Sequence, residues 1–234
     1  MLRECKRISD ETGMLLHIHI AETPDDLGPH QAEIGGEKTS FEYLDSIGFL
    51  NENVIAAHSV WLTDHDIEII KKRNVKVVHN PTSNMKVCAG IAPASRLLHE
   101  GVTVALGTDS AASNNRLDMF ETMKTTALLQ KVAMGEAAAL TAVQCLRMAT
   151  IEGAKTIHTF CVHTLEKQLA AGYEPMQIMP RMAAYLGHKS YRETSWYIHL
   201  TIVSFPELSA KLSAVFSGII PVVEDSKDEE NRLF

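Results

Sequence analysis

Four short apolar runs, 15–21, 54–60, 75–79 and 102–107, constrain this chain more than any other feature. Each is nearly continuous in Val, Ile, Leu and Ala, as expected of strands buried on both faces in a parallel sheet. Helical patterns lie between three of them. The pattern at 40–47 is opened by a Thr39/Glu42 capping box and stopped by Gly48; the one at 64–73 opens at Thr63 with Asp66 three residues later; the one at 93–100 stops at Gly101. Strand, helix, strand, helix in this rhythm implies right-handed βαβ units. Two further helices are expected near 117–131 and 140–153. The chain opens directly on a helical pattern, LRECKRISDETG, followed by a strand, so a natural start upstream of Met1 is expected.

The polar residues give these runs their meaning. Each strand ends in a group able to do chemistry: HIHIAE, AAHSVW, VVHNPTSN and ALGTDSAASNN. In parallel α/β barrels the carboxyl ends of the strands form the active rim. His19, Glu22, His58, His79 and Asp109 would therefore converge on one mouth. Imidazole and carboxylate groups there suit a divalent metal, and a spare carboxylate suits proton transfer. A single histidine at a strand end is more often a hydrogen-bonded structural residue, but four strands ending this way point to a shared site. Asn80, Ser83 and Asn84 read equally as Asx-type turn formers or as substrate contacts.

Composition sets the outer limits. Of 234 residues, 45% are hydrophobic and 22% charged, and the net charge is −7, which argues against broad nucleic-acid binding. Cys5, Cys88, Cys145 and Cys161 are scattered, with no CxxC pair, as in a cytoplasmic chain with reduced thiols. Arg3, Glu4, Lys6 and Arg7 interrupt any signal-like run, and no stretch approaches the roughly 20 apolar residues of a membrane span.

The runs HIHIAETPDD, NVIAAHSVWLTDHDIEII, VVHNPTSNMKVCAGIAP and GVTVALGTDSAASNNRLDMFETMKTTALLQK resemble the amidohydrolase superfamily, above all its methylthioadenosine/S-adenosylhomocysteine deaminases and, beside them, chlorohydrolases. The resemblance implies an α/β fold: strands 5–8 of a (β/α)8 TIM-type barrel with their helices, over residues 1–157. It implies that His19 is a metal ligand and that Glu22 is the proton shuttle, also holding the purine edge. It gives His58 the role of orienting the attacking water, and makes Asp109 a metal ligand, proton acceptor and substrate contact. His17 and His79 would support this shell. The implied cofactor is a divalent metal, zinc, and the implied substrate an aminated purine nucleoside that loses ammonia. Ser110 stands where many relatives have Gly, and Trp61 where many have His, which blurs the substrate. The family's HxH pair on its first strand has no counterpart, since the resemblance places HIHIAE on the fifth. An incomplete ligand set, weak metal binding and no turnover are therefore expected of this chain alone. So is an open sheet with an exposed apolar face, prone to pairing with another chain, a second copy included.

Residues 158–234 read as helices only. Their run HTFCVHTLEKQLAAGYEPMQIMPRMAAYLGHKSYRETSWYIHLT resembles the end of a tyrosine recombinase (phage-integrase) catalytic domain, with Leu186-Gly187-His188 followed by Tyr197. That resemblance implies a small all-α segment, a DNA partner, and Tyr197 as a catalytic nucleophile assisted by His188. The family's HxxR is absent: Ala154 and Ile157 stand where it has His and Arg. The readings open at this point are a deaminase needing a complementing partner, a DNA-integration remnant, and an inactive fusion of two gene pieces.

Overall fold

The structure, a computed structural model, describes residues 1–28, 31, 36 and 38–156. The expectations for 157–234, including the all-α segment, the 157/158 boundary, His188 and Tyr197, lie outside the described residues.

Four parallel strands, β1 (Leu16–Ile20), β2 (Val54–His58), β3 (Lys76–His79) and β4 (Val104–Leu106), form one sheet in the spatial order β1-β2-β3-β4. Chain order equals spatial order, and each crossover carries a helix. That winding follows from the alternation read in the sequence. Helix α1 (Leu2–Thr12) ends at Gly13, whose φ of 78° is the left-handed turn that a glycine C-cap provides. Both expected capping boxes are present. The Thr39 hydroxyl accepts from Glu42 N–H at the start of α2 (Ser40–Ser46), and the Thr63 hydroxyl accepts from Asp66 N–H at the start of α3 (Asp64–Arg73). After β3 come α4 (Pro81–Lys86) and α5 (Ala94–His99); after β4 come α6 (Ala111–Asn114), α7 (Met119–Met134) and α8 (Ala142–Ala149). The sequence reading lacked α4 and α6. The signal for α4 was present: Pro81 stands at the first helical position, where its missing N–H costs nothing.

The register sorts the sheet into two faces. Ile18, Ala56, Val77 and Val104 lie side by side in one row, and His19, Ala57, Val78 and Ala105 in the next. Because side chains alternate along a strand, these rows point to opposite faces. The first row meets Phe41, Leu44, Ile67, Ile70 and Leu97 from the helices, joined by Leu140, Cys145 and Met148. The second row carries His19. The strands β2 to β4 present no exposed apolar side chain, so the bare apolar sheet face expected from the sequence is not seen there; the exposed strand residues are His17 and His19. No helix among the described residues is long and apolar enough to cross a membrane.

Candidate metal and proton-transfer site

The site sits where β1, β2 and β4 end, and the backbone leaves each strand through a left-handed residue. Ala21 has φ 55°, His58 72° followed by Ser59 at 48°, and Asp109 59°. Non-glycine residues are strained in this region, and such strain concentrates where a fold re-aims functional side chains. The need for re-aiming follows from the register. Ile20 pairs with His58, so strict alternation would turn His58 away from the face of His19 and toward the helices. The positive φ breaks that alternation, and the His58 ring stands edge-on to His19, 5.0 Å between centroids. Its Nδ1 lies 3.8 Å from Glu22 Oε1. Glu22 is fixed at the rim by the turn that follows β1, in which the Asp26 carboxylate accepts from the N–H groups of Glu22 and Thr23.

His79 shows what happens without such a break. It pairs with Leu106 and stays in the helix-facing row, with 0% exposure. Among the described residues neither of its ring nitrogens has a hydrogen-bond partner. Burial, and next the neighbouring His58, push its pKa down to about 4. This imidazole is neutral and does not open onto the mouth. His17, whose side chain still reaches solvent, is held below the usual imidazole range by partial burial and next by His19 and His58, with Asp109 opposing.

Asp109 comes to the same mouth from β4, but its carboxylate is occupied. Oδ2 accepts from the Ser83 hydroxyl at 2.6 Å, and Oδ1 from Ser110 N–H at 2.7 Å. Burial would raise this carboxyl. The bonds from Ser83, Ser110 and Ser113 and the nearby His58 outweigh it and hold the pKa below the ordinary value. Next to Ser83, Asn84 accepts from His58 through Oδ1 at 2.7 Å. An amide oxygen can only accept, so His58 carries its proton on Nδ1 and leaves Nε2 as a free lone pair. One turn of α4 thus holds two side chains from two other strands, with Ser83 and Asn84 both almost fully buried. Residue types gave Ser83 and Asn84 as loop formers or substrate contacts; the structure makes them the supports of Asp109 and His58.

His19, Glu22 and His58 each offer one ligand atom, and these atoms lie within 4.8 Å of one another. Two imidazoles and one carboxylate form a donor set suited to zinc or a similar divalent ion. Of the expected residues, this cluster unites His19, Glu22 and His58, with Asp109 beside it. A cavity of about 230 Å³ opens nearby, lined in part by Ala21, Asp26, Thr39 and Trp61, and includes none of the four.

Comparison with known proteins places these observations. The profile of the amidohydrolase family matches residues 1–160. A 5'-deoxyadenosine deaminase of Methanosarcina acetivorans is 50% identical over 158 residues, which is 68% of this chain and 36% of that protein. A 5-methylthioadenosine/S-adenosylhomocysteine deaminase of Thermococcus sibiricus is 51% identical over 149 residues, 64% of this chain and 35% of that protein. Among solved structures, an adenosine deaminase from Xanthomonas campestris with bound zinc matches with a TM-score of 0.64 and 36% identity, covering 68% of this chain and 36% of that one. An atrazine chlorohydrolase of Arthrobacter aurescens complexed with zinc matches with a TM-score of 0.62 and 26% identity, covering 68% and 35%. The chain spans little more than a third of the length of these relatives.

Proposed function

The chain belongs to the amidohydrolase family, and from that premise we propose that it carries the strand 5–8 part of a deaminase centre acting on aminated purine nucleosides of the 5'-deoxyadenosine, methylthioadenosine or S-adenosylhomocysteine kind. The observation that carries this reading is the meeting of His19, Glu22 and His58 at one mouth, delivered by two neighbouring strands, with Asp109 alongside. The relatives' names supply the substrate class.

A divalent ion held there through His19 and Asp109 would supply the Lewis acidity that makes water a nucleophile at neutral pH. The remaining work belongs to the protein. His58, its tautomer set by Asn84, offers a lone pair that orients the attacking water. Asp109, kept ionised by Ser83 and Ser110, takes the proton from that water. Glu22, partly exposed at the rim, meets the purine edge and passes a proton to the departing amino nitrogen. Four strands are half of the eight a closed barrel needs, so turnover requires the other strands as well.

The test is ammonia release from the three nucleosides by the zinc-supplied chain, alone and mixed with the amino-terminal barrel portion of the Methanosarcina acetivorans relative. Release in the mixture that disappears in Glu22→Gln supports the reading. No release in any mixture, or a Glu22→Gln chain as active as the parent, overturns it.

A further inference from the structure

We propose that α7 is the contact helix of a homodimer. Its outward face takes the same face of a second copy of this chain, with the two helices antiparallel and related by a two-fold axis level with Thr126. This surface is separate from the mouth and does not depend on the reaction proposed there.

Helix α7 is amphipathic in the reverse sense to a helix on a free surface. Its buried positions are polar: Thr122, Thr126 and Gln130, spaced four apart, are 1%, 0% and 1% exposed. These groups are satisfied internally. The threonine hydroxyls donate to the carbonyls of Asp118 and Thr122, one turn back. Gln130 donates to the Ala92 carbonyl at 2.9 Å and accepts from Ser95 N–H at 3.0 Å. The inner side thus anchors α7 through polar bonds and leaves large apolar residues facing out. Leu117 stands just before the helix, then Phe120, Leu128 and Val132 follow, with Phe120 81% and Val132 80% exposed. Val143 and Leu146 are exposed on α8, which packs against α7. An apolar stripe along about 24 Å of helix marks a contact surface. Strands completing a barrel would add at the free edges of β1 and β4, and α7 turns its buried side, not this stripe, toward β4.

The charges on the stripe identify the occupant. Glu121 lies in the first turn of α7 and Lys131 in the last, with Lys124 between them. An antiparallel copy sets each acidic start against a basic end and opposes the two helix dipoles, whereas a parallel copy would stack like on like. With about 100° per residue, Glu121 and Lys131 point within about 40° of the direction opposite Thr126, and Phe120 and Val132 within about 60°. Positions equally far from 126 come level across the two-fold axis. Glu121 therefore meets Lys131 of the second copy, Phe120 meets Val132, and Lys124 meets Leu128. Symmetry makes each contact twice. Within its own copy Glu121 pairs with Arg116 at 3.9 Å, both side chains exposed, a contact of little worth. Lys124 and Lys131 have no ion pair among the described residues.

The experiment is sedimentation velocity of the full chain from about 1 to 100 µM, the range of a modest interface, with far-UV circular dichroism confirming the fold of each variant. The parent should pass from monomer to dimer. Glu121→Lys and Lys131→Glu should each weaken the dimer roughly tenfold or more, because each turns two attractive pairs into two repulsive ones. An equimolar mixture of these two variants should form a heterodimer, since each then supplies the charge the other lacks. Phe120→Ser should also weaken association, through lost apolar contact alone. A parent that stays monomeric at 100 µM overturns the inference. So does association that persists unchanged in the charge variants or in Phe120→Ser, and so does a mixture that fails to associate. The readout is mass, so absence of ammonia release would count against the proposed reaction and leave this result standing.

Discussion

Acid should weaken this fold through His79 in particular. Its imidazole is wholly buried, has no hydrogen-bond partner among the described residues, and is held at a pKa of about 4 against 6.5 for a free side chain. The folded value is the depressed one, so the unfolded chain binds the extra proton. Stability from this residue is fully present above about pH 6.5 and is lost as pH falls toward 4. Integrating between those two values gives a loss of about 2 kcal/mol at pH 5 and about 3 kcal/mol at pH 4. His79→Leu removes the titration. At pH 7 it should cost less than about 1 kcal/mol, because an apolar side chain replaces a ring whose polar atoms are unpaired. Urea unfolding of both chains at pH 7 and pH 5 isolates the term, since His17 and the carboxylates titrate in each and cancel. The parent should lose about 2 kcal/mol more than the variant over that interval. Equal losses, or a His79 C2–H resonance titrating near 6.5, would show that the ring is hydrated or hydrogen-bonded and that the burial argument fails.

Three further expectations concern single contacts. Asn84→Ala should shift His58 from the Nδ1–H tautomer toward a mixture, visible in imidazole 15N shifts, while Asn84→Asp, which keeps an acceptor at that place, should preserve it. Asp66 accepts from Thr63 N–H and from the hydroxyls of Thr63 and Thr39, tying the starts of α2 and α3 together; Asp66→Ala should lower the unfolding free energy by about 3 kcal/mol in urea titrations. A Cβ at Gly107 would meet Asn80 Oδ1 at 2.3 Å and Val78 Cγ1 at 2.8 Å, so Gly107→Ala should cost about 2 kcal/mol by the same assay and separate the ends of β3 and β4.

The amino-acid sequence by itself determined the parallel sheet, its strand order and most helix starts, because these depend on local signals. Apolar runs, the pairs Thr39/Glu42 and Thr63/Asp66, and Gly13 and Gly48 act within one turn or one strand. It also marked His19, Glu22, His58 and Asp109 as candidates, since each lies at or just past the carboxyl end of an apolar run. Only the tertiary structure decided how they are used. Alternation along β2 and β3 would place His58 and His79 in the same helix-facing row; the positive φ at His58 returns one to the mouth, while His79 stays buried. Likewise, nothing local to Ser83 or Asn84 says that they clasp Asp109 and His58, each 26 positions away. Contacts of that range are fixed by how strand ends stack beside one another, a property of the assembled sheet that no short stretch of chain contains.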